Sequence, residues 1–455
     1  MSDDGMTDDH DTTVRLMPAS TAAPDGPSLR RELGRWDLTA IGVNQVIGGA
    51  VFALPATLAA LAGAWSPLLV VAVGFASLLI AVTFAEVGSR FDATGGPYLY
   101  TRAAFGRFAA FEVGWMQWFT RVASWASVIN VLVASLGFYW PAVTTGALRS
   151  ALIAGIIAVL TTINILGIRQ SAVVLNTLTA GKLAPLAIFI VAGLPAVAVA
   201  RLALGAAPDA ASLSRSALLL IFAFGGYEVV PVPAGEAKDP RSGVPFALVI
   251  TIVTVTIILA LAQVVCLGTL PALPSSRTPL ADAAAVFMGA GGAALITLGA
   301  VFSTLGNNMG QALSGSRSLF ALAEQRDVPR LFAFIHPRFR TPVVAIVTTA
   351  AASLGLALSG TFASMAAASA ISRLVVYVAT CAAALQLRRP SFRETVRPAT
   401  FVVPLGPAIP ALAIAIALAI LAGATSLQLT AGAAALAAGA VLFLLATIGT
   451  KGTRP

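Results

Sequence analysis

Two short stretches set a glycine pair and a following proline inside runs apolar enough to span a membrane, a combination that marks either a kink or close packing, or a deliberate break. "VIGGAVFALP" (46–55) sets Gly48, Gly49 and Pro55 inside an apolar run, and "IFAFGGYEVVPVPAGE" (221–236) does the same with Gly225, Gly226, Pro231 and Pro233. Glycine lets the backbone leave a helix without a side-chain clash, and proline cannot donate to the carbonyl one turn back. Unwinding there frees amides at the start of one half-helix and carbonyls at the end of the other. The amide end is partly positive and suits a carboxylate, while the carbonyl end suits an ammonium or a cation. Two such breaks side by side make a receptor for a zwitterion, built mostly from main chain.

Arg121, Lys182, Glu228 and Arg373 are charges set within the apolar spans. A charge at the bilayer centre costs about 2.5–3.5 kcal/mol on insertion scales, so each needs a role. The Lys182 ammonium can donate to carbonyls freed in the first break, where desolvation makes its protonation switchable, or it can snorkel to the inner interface. Glu228 reads as a charge at a helix N-terminus. Arg373 either pairs with Glu228 or another buried acid, or reads an acidic group on a substrate. Arg121 is a similar case, with Trp115, Trp118 and Trp125 near enough in sequence to stack on it.

The elements that must carry these residues follow from composition. The 455 residues are 58% hydrophobic and 10% charged, with a mean hydropathy of +0.90. Soluble domains carry about 25% charged residues, and runs of about 17–25 apolar residues are what helices spanning a bilayer require. The sequence predicts about twelve spans: 37–62, 67–89, 108–139, 150–167, 172–199, 216–235, 244–270, 284–322, 342–359, 362–387, 402–423 and 428–449. With the N-terminus inside, 21 of the 28 Lys and Arg fall in inward segments and four outside; three lie within spans. The net charge of +9 is therefore the positive-inside bias, with both termini cytoplasmic, rather than a nucleic-acid footprint. Cys266 and Cys381 sit in apolar helices without metal-ligand spacing and read as core filler. The polar opening, with Asp3, Asp4, Asp8, Asp9 and Asp11, predicts a disordered tail over 1–35 rather than a cleaved signal peptide.

The second glycine pair echoes the first five helices later. Matched interruptions in two halves of a chain point to a transporter's midplane site between inverted repeats. The stretches "VIGGAVFALPATLAALAG", "FAEVGSRFDATGGPYLYTRAAFG", "FAFGGYE…AGEAKDPRSGVP" and "SGSRSLFALAEQRDVPRLFAFIHPRFRTP" together resemble the amino acid–polyamine–organocation (APC) family of permeases, in order, from residue 36 to about 390. The resemblance implies an all-α membrane protein of the LeuT type, with helices 1 and 6 broken. Its inverted five-helix repeats would occupy 36–200 and 213–390, and two peripheral helices 400–450.

It also implies roles residue by residue. The substrate carboxylate would sit on the amides of Gly48, Gly49 and Ala50. The amine would meet carbonyls near Val43, Asn44 and Val46, and near Phe222 and Phe224, with Ile47, Gly225 and Gly226 also in the substrate site. Gln45 would offer its side-chain amide, and Phe222 would act as an aromatic gate. Lys182 matches a lysine that stands in for sodium in proton-coupled members, and Glu228 a carboxylate that links proton to substrate. One departure is Ala50, where the family has glycine; alanine resists positive φ, so a tighter loop or a smaller pocket is expected. Apart from the resemblance, Glu86, Glu236, Lys238, Asp239, Arg241, Arg90, Arg102 and Arg317 gather at the cytoplasmic face, where they read either as a salt-bridge network that locks the inward gate or as solvated loop charges.

The expected function is a secondary amino acid transporter in an inner membrane, proton-driven, working by alternating access. The alternatives are an exchanger of amino acids or polyamines, and a transporter-like sensor. The apolar breaks suit a neutral amino acid, Glu228 a cationic one and Arg373 an acidic one. No nucleophile–His pair, HExxH or phosphate loop points to an enzyme, and no cofactor or metal is expected. The partners are a small amino acid or amine, protons and lipid.

Overall fold

A computed structural model describes residues 27–136, 140–359 and 362–451, so the tail expected over 1–35 lies outside the described residues up to position 26. Regular structure among the described residues is helical, apart from one bridge between Leu33 and Ala237. The first span is interrupted: α1 (Arg35–Val46) and α2 (Leu54–Ala62) are joined by a 3₁₀ turn, Gly49–Phe52. Then follow α3 (Ser66–Gly88), α4 (Pro97–Phe105), α5 (Arg107–Leu136), α6 (Gly146–Leu166) and α7 (Ile168–Gly193). The second half holds α8 (Ala210–Phe224), α9 (Pro240–Thr269), α10 (Pro279–Glu324), α11 (Val343–Leu358), α12 (Phe362–Gln386), α13 (Ala408–Ala422) and α14 (Ser426–Lys451).

Among the described residues, seven helical segments are long and apolar enough to cross a membrane, and three shorter apolar helices accompany them. Lipid offers no hydrophobic drive between such helices, so close backbone approach carries the packing. The central helix α9 shows this. At Gly42 of α1 a Cβ would stand 2.3 Å from Thr251 Oγ1, and at Gly74 of α3 another would stand 2.4 Å from Thr256 Oγ1. A side chain at either crossing would push the threonine aside, so α1 and α3 both lie close against α9. Helix α10 lies against α5 and α7, and α12 against α5, α13 and α14.

Two expected spans take a different form. The eighth begins earlier than residue 284, because α10 is 46 residues long. At about 1.5 Å per residue a straight helix of that length would overrun a bilayer core of about 30 Å more than twofold. It bends at Gly289, where φ 65° and ψ −161° suit glycine alone. The sixth span is helical only to Phe224. From Tyr227 to Glu236 the chain runs as 3₁₀ and other tight turns, with Ala234 N–H donating to Pro231 O and Glu236 N–H to Pro233 O. Pro231 and Pro233 remove the amides that an α-helix would need there.

Candidate functional site

Helix α1 ends where its carbonyls lose their helical partners, and the structure shows what replaces them. Lys182, on α7, is fully buried. Its Nζ donates to Asn44 O at 3.0 Å, Asn44 Oδ1 at 2.9 Å and Ile47 O at 2.6 Å, with Ser303 O at 3.5 Å. The ammonium has three protons, and the three short contacts use them on neutral oxygens. This is the inward placement anticipated for Lys182; it does not snorkel. Asn44 is fixed in turn, its Nδ2 donating to Thr179 Oγ1 at 2.8 Å.

The remaining carbonyls of the break are also engaged. Ile47 O accepts a second bond from Ser303 Oγ at 2.8 Å, and Gln45 O accepts from Asn307 Nδ2 at 3.1 Å. Val43 O takes Ile47 N–H and Val46 O takes Gly48 N–H. Gln45 Nε2 donates to Asn307 O at 3.0 Å, leaving Gln45 Oε1 buried without a partner among the described residues. Ser303, Asn307 and Gln311 form a polar stripe down α10, and the α10 glycines Gly306 and Gly310 make room for the Asn44 and Gln45 side chains. The reading from sequence does not single out this stripe. Its signal is polar residues recurring every three to four positions in an apolar helix.

Neither Gly48 nor Gly49 adopts positive φ, and a Cβ at either would come no closer than 3.4 Å to its nearest neighbour, Asn307 Nδ2 or Thr304 Cγ2. The turn between α1 and α2 is a 3₁₀ helix, Gly49–Phe52, so neither glycine of the first pair is needed there for a left-handed conformation. The second break differs. Gly226 has φ 131°, and a Cβ on it would lie 2.7 Å from Gln45 O. The two breaks therefore touch main chain to main chain. A Gly226→Ala substitution is expected to destabilise the protein by about 1–3 kcal/mol from backbone strain alone, with the contact to Gln45 adding to it. Gly48→Ala should be nearly silent. Thermal unfolding of the two variants side by side would check this, and equal effects would refute it.

Glu228 anchors the second break. Its Oε2 accepts from Gly226 N–H and from Tyr377 OH, each at 2.8 Å. Its Oε1 lies 2.7 Å from Arg121 Nη2 and 3.0 Å from Arg373 Nε. Arg121, Glu228 and Arg373 thus tie α5, the α8 break and α12 together. The tryptophans do not stack on Arg121 among the described contacts: Trp115 Nε1 donates to Ala435 O, and Trp118 Nε1 to Thr349 Oγ1. Tyr227 and Tyr377 stack 5.4 Å apart with Phe84 edge-on to both.

Phe224 is fully buried, whereas Phe222 is 40% exposed. Phe222 borders a shallow crevice with Arg373, Leu374, Tyr377 and Ile420, and its carbonyl accepts from Gly225 N–H. A separate cavity of about 440 Å³ opens beside the first break, where Gly49, Phe52 and Thr304 meet Thr278 and Asp282.

The single network anticipated at one face resolves into three clusters. Arg317 holds Glu236 through two bonds, at 2.8 and 3.0 Å, with both side chains fully buried and Asn164 behind them. Arg388 grips Glu86, with Arg90 nearby. Asp327, which the sequence reading passes over in its loop, collects Arg102, Arg107 and Tyr98 OH. Burial, reinforced by Asp327, pushes the Tyr98 phenol well above its usual range, so it stays a donor. Arg241 instead donates to the carbonyls of Ser89 and Pro398. The cluster at Glu236 adjoins a main-chain clasp. Glu32 and Leu33 N–H both donate to Glu236 O, and Lys238 N–H donates to Leu33 O.

Comparison with known proteins gives this arrangement its context. A family model described as amino acid permease matches residues 33–448. The chain is 30% identical to an uncharacterised transporter of Mycobacterium tuberculosis, over 79% of this chain and 81% of the relative. It is 29% identical to a serine/threonine exchanger of Bacillus subtilis, over 85% and 89% of the two chains. A branched-chain amino acid permease of Bacillus subtilis is 27% identical over 85% and 86%.

Proposed function

Because the chain belongs to the amino acid permease family, we propose that it is a secondary transporter carrying an amino acid across an inner membrane by alternating access, with protons as the driving ion. The carrying observation is the apposition of two helix breaks, Gly226 on Gln45, with the Lys182 ammonium inserted into the first. Two discontinuous helices meeting in this way are the arrangement by which transporters bind at the midplane.

In this reading α1 with α2, and α8 with the turns to Glu236, are spans one and six of twelve, and both termini are cytoplasmic. The repeats run over 36–200 and 213–390 in the LeuT manner, and residues 400–450 supply two peripheral helices. The substrate carboxylate takes the amides of Gly49 and Ala50, which open the turn into α2. Gly48 N–H is already spent on Val46 O. Since Lys182 occupies the carbonyls of Asn44 and Ile47, the substrate amine is left with Gln45 Oε1 and the carbonyl end of α8 at Phe224. Phe222 gates the crevice above Arg373.

Lys182 carries the coupling. Protonated, it pins α7 to the carbonyl end of α1; deprotonated, it loses the donors that hold Asn44 O and Ile47 O, and α1 is released. Glu228 has both oxygens engaged by two guanidiniums, a tyrosine and an amide, so we assign it to holding the second break rather than to carrying the proton. Exchange is the second mode to weigh, because one relative is a serine/threonine exchanger.

The test is uptake of radiolabelled amino acids by the protein in proteoliposomes. Accumulation driven by an inward proton gradient is expected. A requirement for sodium with indifference to pH would overturn the choice of ion, and binding without time-dependent uptake or exchange would make the protein a sensor.

A further inference from the structure

Arg121 and Arg373 are two guanidiniums served by one carboxylate, and by the same oxygen of it, Glu228 Oε1. The other oxygen is committed to Tyr377 OH and Gly226 N–H. A guanidinium offers five N–H donors. Arg121 is 2% exposed, yet among the described residues its Nε and Nη1 have no hydrogen-bond partner, and Arg373 Nε is close to Glu228 without a hydrogen bond to it. Buried donors of a charged group that go unmet are costly, so this cluster is built short of an acceptor.

It is also short of negative charge. The other buried carboxylates in ion pairs are committed elsewhere: Glu86 to Arg388, Glu236 to Arg317, and Asp327 to Arg102 and Arg107. Among the described residues, then, Glu228 is the one carboxylate in ion-pair contact with either arginine.

The surplus lies at the breaks. A Cβ on Gly225 would stand 2.3 Å from Arg373 Nη1, while its neighbour Gly226 rests on Gln45 of the first break. Arg373 remains 17% exposed and lines the crevice beside Phe222.

We propose that the transported amino acid carries a second acidic group, and that Arg373 and Arg121 receive its side-chain carboxylate. The proposal rests on the transport reading above and names its substrate class. An anionic side chain supplies both the missing charge and planar acceptors that match guanidinium donors. A neutral side chain would leave the donors unmet, and a cationic one would add to the surplus.

Glutamate and glutamine share a shape and differ in charge, so they form the deciding pair. Full-length protein in proteoliposomes would be assayed for uptake of labelled glutamate, aspartate, glutamine, serine, leucine and lysine, and for mutual inhibition. Glutamate or aspartate should outcompete its amide by about tenfold or more. Arg373→Gln should erase that ratio, and Arg373→Lys should retain part of it. Transport of serine, leucine or lysine with no uptake or inhibition by the acidic pair would sink the substrate class and leave transport standing. If nothing is carried or exchanged, the transport reading falls with it. An Arg373→Gln protein that folds, transports more slowly and keeps the acidic preference would show Arg373 to be structural and overturn the proposal.

Discussion

Lys182→Met protein is expected to bind substrate but to lose accumulation driven by a proton gradient, its internal level settling at the external one. Methionine fills the space of the lysine stem and removes the ionisable group. The charge is held by neutral oxygens alone, Asn44 O, Asn44 Oδ1 and Ile47 O, so nothing else in the contact set takes over the proton. Lys182→Arg is the sharper control, because a guanidinium keeps its proton in proteins. It should fail to couple although the charge is retained. Removing the donors also leaves buried carbonyls unmet, at about 1–3 kcal/mol for each unsatisfied group, so thermal unfolding must be followed alongside. Gradient-driven accumulation that survives in both variants would dismiss Lys182 as the coupling group.

Glu228→Ala should be the most destabilising single change at the breaks. Breaking a buried ion pair by removing one partner costs about 3–5 kcal/mol, because the other charge is left uncompensated. Here two guanidiniums lose their shared partner, and Gly226 N–H and Tyr377 OH lose an acceptor as well. The loss should shrink when Arg373→Met is added to Glu228→Ala, since the surplus charge is then reduced. Fluorescence-monitored unfolding of the single and double variants measures this. A double variant no more stable than Glu228→Ala alone would mean that charge is not what the carboxylate supplies.

The helix breaks are legible in sequence because glycine and proline act locally: their effects on φ and on the amide need no knowledge of neighbours. Burial of Lys182 is legible for a similar reason, since a charge in an apolar run must find oxygen. What the reading misses depends on which helix lies beside which. Ser303 and Asn307 look like ordinary polar residues until α10 is placed against α1, and Asp327 like a solvated loop acid until Arg102, Arg107 and Tyr98 surround it. The second half of span six is misjudged for another reason. Its composition is apolar enough for a span, but Pro231 and Pro233 deny it an α-helix, leaving turns from Tyr227 onward.

The clasp between residues 32–33 and 236–238 is made of peptide groups, whereas the neighbouring grip of Arg317 on Glu236 is made of side chains. These two fastenings answer to different kinds of change. Drift at Glu32 or Lys238 leaves the main-chain seam sewn whatever residue arrives, apart from proline, which has no hydrogen to give. The arginine latch beside it can be tuned by a single codon. The foot of α1 and the exit of α8 are therefore joined by a seam that heredity can hardly unpick, and their parting can be made easier or harder by adjusting the latch alone.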